Sequence, residues 1–326
     1  MMERILQLFD ENPDAFVSGE MLSRHLECSR TAVWKHIQSL RAKGYEFEAV
    51  SRRGYRLTRK PERLDIVSLL SRLATKTMGR NIKHFDSLPS TQTLAHQLAR
   101  EGAPEGTVVF AEEQTAGRGR MGRAWYSPSG KSISMSIVLR PRLPMHYIPQ
   151  LTLLAAVALH RAIRKLIDVQ VDIKWPNDLL IGGKKISGIL LESNAEDERL
   201  VHVIAGIGIS ANIAAEDYSD ELREKATSLM IESGKRIDRE ALICAFLQEF
   251  ELLYELCHEQ GFAPIRTLWE ASCVTLGRNV KVDTAGGLVE GVATGLDDHG
   301  ALIVRNTEGQ YVHIYSGDVQ FQIRNS

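Results

Sequence analysis

The sequence predicts an α+β chain of several domains: a winged helix-turn-helix, then a mixed or antiparallel sheet with helices on one side, then a small all-β domain. Three observations predict it. Residues 1–60 carry helical apolar spacing that ends in two short strands. The middle of the chain has period-2 runs and hairpin turns interspersed with long helical patterns. Beyond about Thr275 helical periodicity stops, and Gly286, Gly287, Gly295, Gly300, Gly309 and Gly317 break up short β runs. The expected domains are 1–60, 61–272 and 273–326.

In the first domain Ile5, Leu6 and Phe9 recur at helical spacing within Glu3–Asp10. Ser18 caps a short helix that runs through Leu26. After the turn at Cys28, Ser29 is an N-cap for a third helix whose buried stripe is Val33, Ile37 and Leu40. The other face of that helix carries Arg30, Thr31, Lys35, His36, Gln38 and Arg41, and Gly44 ends it. Tyr45–Val50, a basic tip Ser51-Arg-Arg-Gly54 and Tyr55–Thr58 make a hairpin. From Arg24 to Lys60 there are ten Lys+Arg against three acids. Two helices joined by a tight turn, the second with a basic polar face, is the arrangement that sets a recognition helix in the DNA major groove. Arg30, Thr31, Lys35 and His36 are the candidates for base contact, with Arg52 and Arg53 on the wing. A solvated domain whose charges serve only solubility is the alternative; segregation of apolar and basic positions favours DNA.

Thr58–Arg63 reads as a linker. In the central domain Ser132–Leu139 alternates, with Ile133, Met135, Ile137 and Leu139 on one side, which predicts a half-buried strand. Further strands are expected at Val108–Ala111, Val171–Trp175, Leu179–Ile181, Ile186–Leu191 and Val201–Ile209, with Gly182-Gly183 as a hairpin turn. Helices are expected at Gln92–Arg100, about 148–167 and Asp238–Glu259.

The most informative stretch is Glu113–Gly130. It sets Arg118, Arg120 and Arg123 among Gly117, Gly119 and Gly122, and no acid occurs between Glu113 and Asp168. Glycine lets backbone approach a ligand closely, and arginine offers a planar, permanently charged fork for carboxylate or phosphate. This is a loop built to enclose an anion. Gly117–Gly122 fits the dinucleotide pattern G-x-G-x-x-G, but Tyr126-Ser-Pro-Ser-Gly130 breaks the helix that such a site requires. Nor does the chain contain the G-x-x-x-x-G-K-[ST] phosphate loop.

Composition bounds the class. With 326 residues, 44% apolar and 25% charged, the chain is of ordinary globular type, and its net charge of −1 hides the basic segment described above. Leu151–Leu159, interrupted by Thr152, is far short of the roughly 20 apolar residues of a membrane span. The four cysteines lie far apart without a C-x-x-C pair, and the first residues read as neither signal nor transit peptide, so a cytoplasmic protein with buried thiols and no membrane role is expected. His160, His202 and His313 show no ligand spacing, so no protein-built metal site is expected.

Four segments in this order resemble the biotin protein ligase family, in particular its bifunctional bacterial members that also repress a biotin operon. They are Ser90-Thr91-Gln92, Gln114–Trp125, Lys174-Trp-Pro-Asn-Asp178 with Lys184-Lys185-Ile-Ser-Gly188-Ile-Leu190, and Gly206-Ile-Gly208. The resemblance covers nearly the whole chain. It implies a winged helix, a class II synthetase-like catalytic domain and an SH3-like C-terminal barrel. It implies a two-step reaction: biotin and ATP, the latter bringing Mg²⁺, give biotinyl-5′-adenylate and pyrophosphate, and a lysine of a biotin carboxyl carrier protein, or another biotin-dependent carboxylase domain, then attacks the adenylate. It also implies operator DNA as a partner and a homodimer when the adenylate is bound.

Carried over residue by residue, the resemblance gives the biotin site Ser90, Thr91, Gln92, Gln114, Arg118, Gly119, Arg120, Trp125, Lys185, Gly188 and Gly206. The nucleotide end receives Arg118, Arg120, Arg123, Asn177, Lys185 and Asn212, and the catalytic cations are Lys185 and Arg118. Bringing a carboxylate against a phosphate joins two anions, so fixed cations where charge develops are the main need. Many family members have Asn at the positions of Gln92 and Ser210; Asn212 is expected to take over the nucleotide contact usual at position 210. Asp178 is expected to be a site-shaping residue rather than a catalytic acid or base, because a Pro-Asn-Asp turn commonly uses such side chains to bond local backbone. A lipoate protein ligase is the rival enzyme, but its Arg-Arg-x-Ser-Gly-Gly-Gly segment is absent. A non-enzymatic ligand-sensing repressor is the rival from another class.

Overall fold

The computed structural model describes residues 2–42, 45–51, 53–59, 63–141, 147–196 and 199–321. They form two compact units, Met1–Ala74 and Thr75–Ser326.

The first unit contains α1 (Met2–Glu11), α2 (Gly19–His25), α3 (Arg30–Ala42), the hairpin β1 (Glu46–Val50) and β2 (Gly54–Arg59), and α4 (Ile66–Arg72). Ser18 Oγ accepts from Met21 N at 3.1 Å and Ser29 Oγ from Ala32 N at 3.2 Å, so both expected caps form. Val33, Ile37 and Leu40 join Ile5, Leu6, Phe9, Leu22, Tyr45 and Phe47 in one core. Val17 bridges to Tyr55 beside the wing, and a Cβ on Gly54 would lie 2.1 Å from Val17 O; with φ +103° this position requires glycine. The expected stop at Gly44 lies outside the described residues. The unit runs past residue 60 because α4, capped by Asp65, packs against α1, and Tyr45 Oη donates to Asp65 at 2.5 Å.

The second unit is built on a seven-stranded sheet. Its strands are β3 (Ile82–Leu88), β4 (Val108–Gln114), β5 (Ile133–Leu139), β6 (Asp172–Lys174), β7 (Asp178–Ile181), β8 (Lys184–Glu196) and β9 (Arg199–Ile209). Their order is β3-β4-β5-β9-β8-β7-β6, with only β3 and β4 parallel. The helices are α5 (Thr91–Arg100), α6 (Ile148–Leu166), α7 (Asp220–Lys225), α8 (Leu229–Ser233), α9 (Arg239–Gln260) and α10 (Ala263–Glu270).

Register fixes the two faces. Val109, Ser136, Gly206 and Leu190 are cross-strand neighbours, as are Val138, Ile204 and Glu192. α5 lies on this face, burying Ala95 and Ala99 on Val109, Val138 and Ile204. Phe110, Met135, Ile137, Ile189 and Ile207 point the other way and are all buried. On that side Glu112 pairs with Arg239 of α9 at 2.9 Å, and α9 packs along α6. Helices therefore cover both faces, not one. β5 is buried at every position, not half-buried, because its serine face lies under α5 and the adjoining cavity. Cys244 is buried, whereas Cys28, Cys257 and Cys273 are only partly so.

A five-stranded antiparallel sheet completes the unit: β10 (Asn279–Thr284), β11 (Gly287–Leu296), β12 (Leu302–Asn306), β13 (Tyr311–Ile314) and β14 (Asp318–Phe321), ordered β13-β12-β11-β10-β14. It is tied to the central domain by Gln150 Nε2 donating to Asp298 O at 2.8 Å and by Arg266 pairing with Asp298 at 2.9 Å. Among the described residues no helix is long and apolar enough to cross a membrane.

Candidate functional site

A cavity of about 620 Å³ opens on the α5 face of the large sheet. Its floor is glycine for a steric reason. A Cβ on Gly208 would sit 2.4 Å from the Trp125 ring, and one on Gly206 would sit 2.5 Å from Gln92 Oε1. The polar end belongs to the start of α5. Thr91 donates from N and Oγ1 to Gln114 Oε1 at 2.9 and 3.1 Å, Thr91 Oγ1 meets Ser136 Oγ at 2.8 Å, and Ser136 Oγ donates to Gln92 Oε1 at 3.0 Å. Gln92 Nε2 is held by Ile204 O at 3.1 Å. Ser90 occupies the N-cap position of α5 but makes no capping bond, so its hydroxyl is left to the cavity that it lines. This end offers hydroxyl and amide groups fixed by their neighbours, which suits a neutral polar head group.

The other end is cationic. The arginine loop closes on itself through Gly119 N to Arg123 O at 2.7 Å and Trp125 N to Gly117 O at 2.9 Å. Arg120 donates to Asn177 Oδ1 at 3.1 Å, Ser316 Oγ at 2.9 Å and Gly317 O at 3.3 Å. Arg123 pairs with Asp318 at 2.7 Å, and Arg118 donates to Thr93 Oγ1 at 3.3 Å. Lys185 Nζ is 2.6 Å from Asp178 Oδ1 and 5.7 Å above the Trp125 ring. Burial pulls the Arg120 pKa down while Asp178 and Asp318 push it up; the hydrogen bond that Arg123 donates to Asp318 raises that of Arg123. Burial would raise Asp318, but the hydrogen bond and charge of Arg123, with the charges of Lys174 and Arg120, hold that carboxyl below its usual range. The Arg123 side chain is 62% exposed, and exposed pairs contribute only about 0–1 kcal/mol, so a ligand phosphate can take over its guanidinium at small cost.

Ser90, Thr91, Gln92, Gln114, Arg118, Gly119, Arg120, Arg123, Trp125, Asn177, Lys185, Gly188 and Gly206 all line this one cavity. Asn212 does not. Its amide donates to Ile237 O at 3.0 Å and accepts from Ile237 N at 2.8 Å, so both ends are committed to holding a loop and the expected nucleotide contact is corrected. Ser210 does line the cavity. Asp178 lines the cavity and forms an ion pair with Lys185 across the hairpin. Sequence reasoning missed Tyr218, Leu222 and the Gly317–Asp318 corner, all part of the lining. No spacing in the tail signals that its last strand returns to the arginine loop.

In the first unit Arg30, Thr31, Lys35 and Arg53 are exposed, and His36 is half-buried. Arg30 reaches Glu20 at 3.2 Å, and the Arg53 guanidinium lies 4.3 Å over the Phe16 ring. Arg52 lies outside the described residues.

Comparison with known proteins agrees with this geometry. Residues 84–210 match the biotin/lipoate A/B protein ligase family, residues 2–56 an HTH domain and residues 275–322 the biotin protein ligase C terminal domain. The first match spans the sheet and most of the cavity, which makes the central domain a protein ligase of the biotin/lipoate class. The bifunctional ligase/repressor BirA of Bacillus subtilis is 48% identical over 97% of each chain, and that of Escherichia coli 31% identical over 89% of this chain and 88% of its own. The biotin protein ligase of Aquifex aeolicus in complex with biotin and ATP has a TM-score of 0.65 at 28% identity, covering 74% of this chain and 99% of that one. The chain belongs to the bifunctional ligase/repressor family.

Proposed function

We propose that this chain is an ATP-dependent biotin protein ligase that makes biotinyl-5′-adenylate, passes the biotinyl group to a carrier lysine, and represses transcription in response to biotin. The observation that carries the ligase reading is one cavity with a neutral polar end at Ser90, Thr91 and Gln114 and a cationic end at Lys185, Arg118 and Arg120. The ureido ring of biotin suits the first end. The valeryl chain runs over Gly206 and Gly208 beneath Trp125, and its carboxylate reaches Lys185.

In the first step a carboxylate oxygen of biotin bonds to the α-phosphorus of ATP while the bond to the bridging oxygen of pyrophosphate breaks. Lys185 and Arg118 neutralise the two anions as they approach, and Arg120 with Asn177 holds the nucleotide side. In the second step the unprotonated lysine of a carrier domain attacks the acyl carbon, AMP leaves and an amide remains. ATP would arrive as its Mg²⁺ complex; Asp178 and Asp318, which line the cavity, would offer the hard oxygen donors such an ion takes, and the ion would offset charge on the phosphates.

For the first unit we propose operator binding through α3 and the wing, by Arg30, Thr31, Lys35, His36, Arg52 and Arg53, as an adenylate-favoured homodimer of a cytoplasmic protein. The experiment for the ligase half is transfer: the full chain with biotin, ATP and a biotin carboxyl carrier domain adds one biotinyl group to a single carrier lysine, read by intact mass. A carrier that stays unmodified rejects it.

A further inference from the structure

Trp34 is 52% exposed although it lies on α3, whose apolar stripe fills the core of the first unit. Among the described residues of that unit, only Met21 and Trp34 expose a large apolar side chain to solvent; Phe9, Tyr45 and Phe47 are buried, and Phe16 is covered by Arg53 and Arg56. The position explains why Trp34 cannot be buried. At about 100° per residue it projects a quarter-turn from Val33, off the stripe made with Ile37 and Leu40. It is four residues from Arg30 and three from Thr31, and adjoins Lys35, so it shares the first two turns with the exposed polar and basic residues.

A recognition helix reads bases with these N-terminal turns. The apolar group that base edges present in the major groove is the thymine 5-methyl. We propose that Trp34 is a specificity-determining residue whose indole packs on a thymine methyl in each half-site. Lys35 and Arg30 supply charge to phosphate or acceptor atoms, and Trp34 adds discrimination that is nearly independent of salt. This rests on the reading of residues 1–60 as a DNA-binding domain.

The test uses the full chain with biotin and ATP. Duplexes are selected from a randomised pool, and each thymine of the enriched sequence is then replaced singly by deoxyuridine, which removes only the methyl. Binding is read by anisotropy over a salt series for wild type, Trp34→Ala, Trp34→Phe and Lys35→Ala, with circular dichroism to verify folding. Wild type is expected to lose about tenfold at one or two thymines per half-site, a loss of the size of a single mismatch. Trp34→Ala should bind the thymine and deoxyuridine duplexes alike with the wild-type salt slope, and Trp34→Phe should restore part of the difference. Lys35→Ala should keep the deoxyuridine effect while its salt slope falls by about one. Trp34→Ala that retains the thymine preference, weakens every sequence equally, or lowers only the dimer fraction in sedimentation overturns the inference while DNA binding stands. If wild type enriches no sequence, the DNA-binding reading itself falls.

Discussion

Lys185 Nζ and Asp178 Oδ1 face each other at 2.6 Å from adjacent strands of the β7–β8 hairpin, with the ammonium also above the Trp125 ring. The carboxylate takes up rotamer freedom that a lysine normally loses on binding, so the charge is aimed before a ligand arrives. Lys185→Ala should slow adenylate formation by about 10²–10³-fold, the usual loss for a contact strongest in the transition state. Asp178→Asn leaves the ammonium in place but unaimed and should cost about tenfold. Single-turnover formation of the adenylate measures both, and a wild-type rate for Lys185→Ala would remove it from the chemistry.

Arg120 joins three parts of the site, Asn177, Ser316 and Gly317. Arg120→Gly should weaken retention of the adenylate more than its formation, so that the reactive acyl phosphate escapes and labels lysines on unrelated proteins. Labelling of a bystander protein added to the reaction reads this out. An Arg120→Gly protein that keeps its adenylate as long as wild type does would contradict it.

Much of the site was legible because it lies on contiguous segments. The glycine and arginine loop, the Lys-Trp-Pro-Asn-Asp run and the buried stripe of α3 each announce themselves within a few residues. Features that depend on distant packing did not. β3 was missed because Ile82–Leu88 is an edge strand carrying Lys83, His84 and Asp86, without a continuous apolar face. Ser136 looks like a solvent position until α5 is known to lie over it, and Ser134 until its 2.6 Å bond to Ser127 Oγ is seen. Asn212 has the right chemistry for a ligand contact, and only its two bonds to Ile237 show that it is occupied. The return of Asp318 to Arg123 joins residues 195 apart, which no local pattern encodes.

Glu249 on α9 is 3% exposed at its side chain and binds Arg161 and Lys165 of α6. Burial would raise its pKa, but the two cations hold it below the usual carboxylate range. A carboxyl depressed in the folded state stabilises above its unfolded pKa, about 4.3, and loses that contribution as pH falls through the folded value. Glu249→Gln should therefore destabilise the second unit by about 1.5–3 kcal/mol near pH 7, as hydrogen bonds to charged groups do, and the difference from wild type should shrink below pH 4. Urea unfolding at several pH values measures it; a difference that grows in acid would be the wrong sign.

A single winged helix meets few phosphates, so specific operator binding calls for two copies on a two-fold site. If the adenylate binds the dimerising state more tightly, each 1.4 kcal/mol of that preference shifts the equilibrium about tenfold. Sedimentation and operator binding at fixed salt should both rise when biotin and ATP are added together. If neither moves, regulation by the ligand fails while the ligase chemistry is untouched.

Pyrophosphate release from the purified full chain tests the chemistry most directly. With ATP and biotin together, a burst of pyrophosphate should appear with biotinyl-adenylate in the protein-bound fraction, and neither substrate alone, nor lipoate in place of biotin, should produce it. Release that stays at the level seen with ATP alone, or that follows lipoate rather than biotin, would contradict the assignment of this cavity.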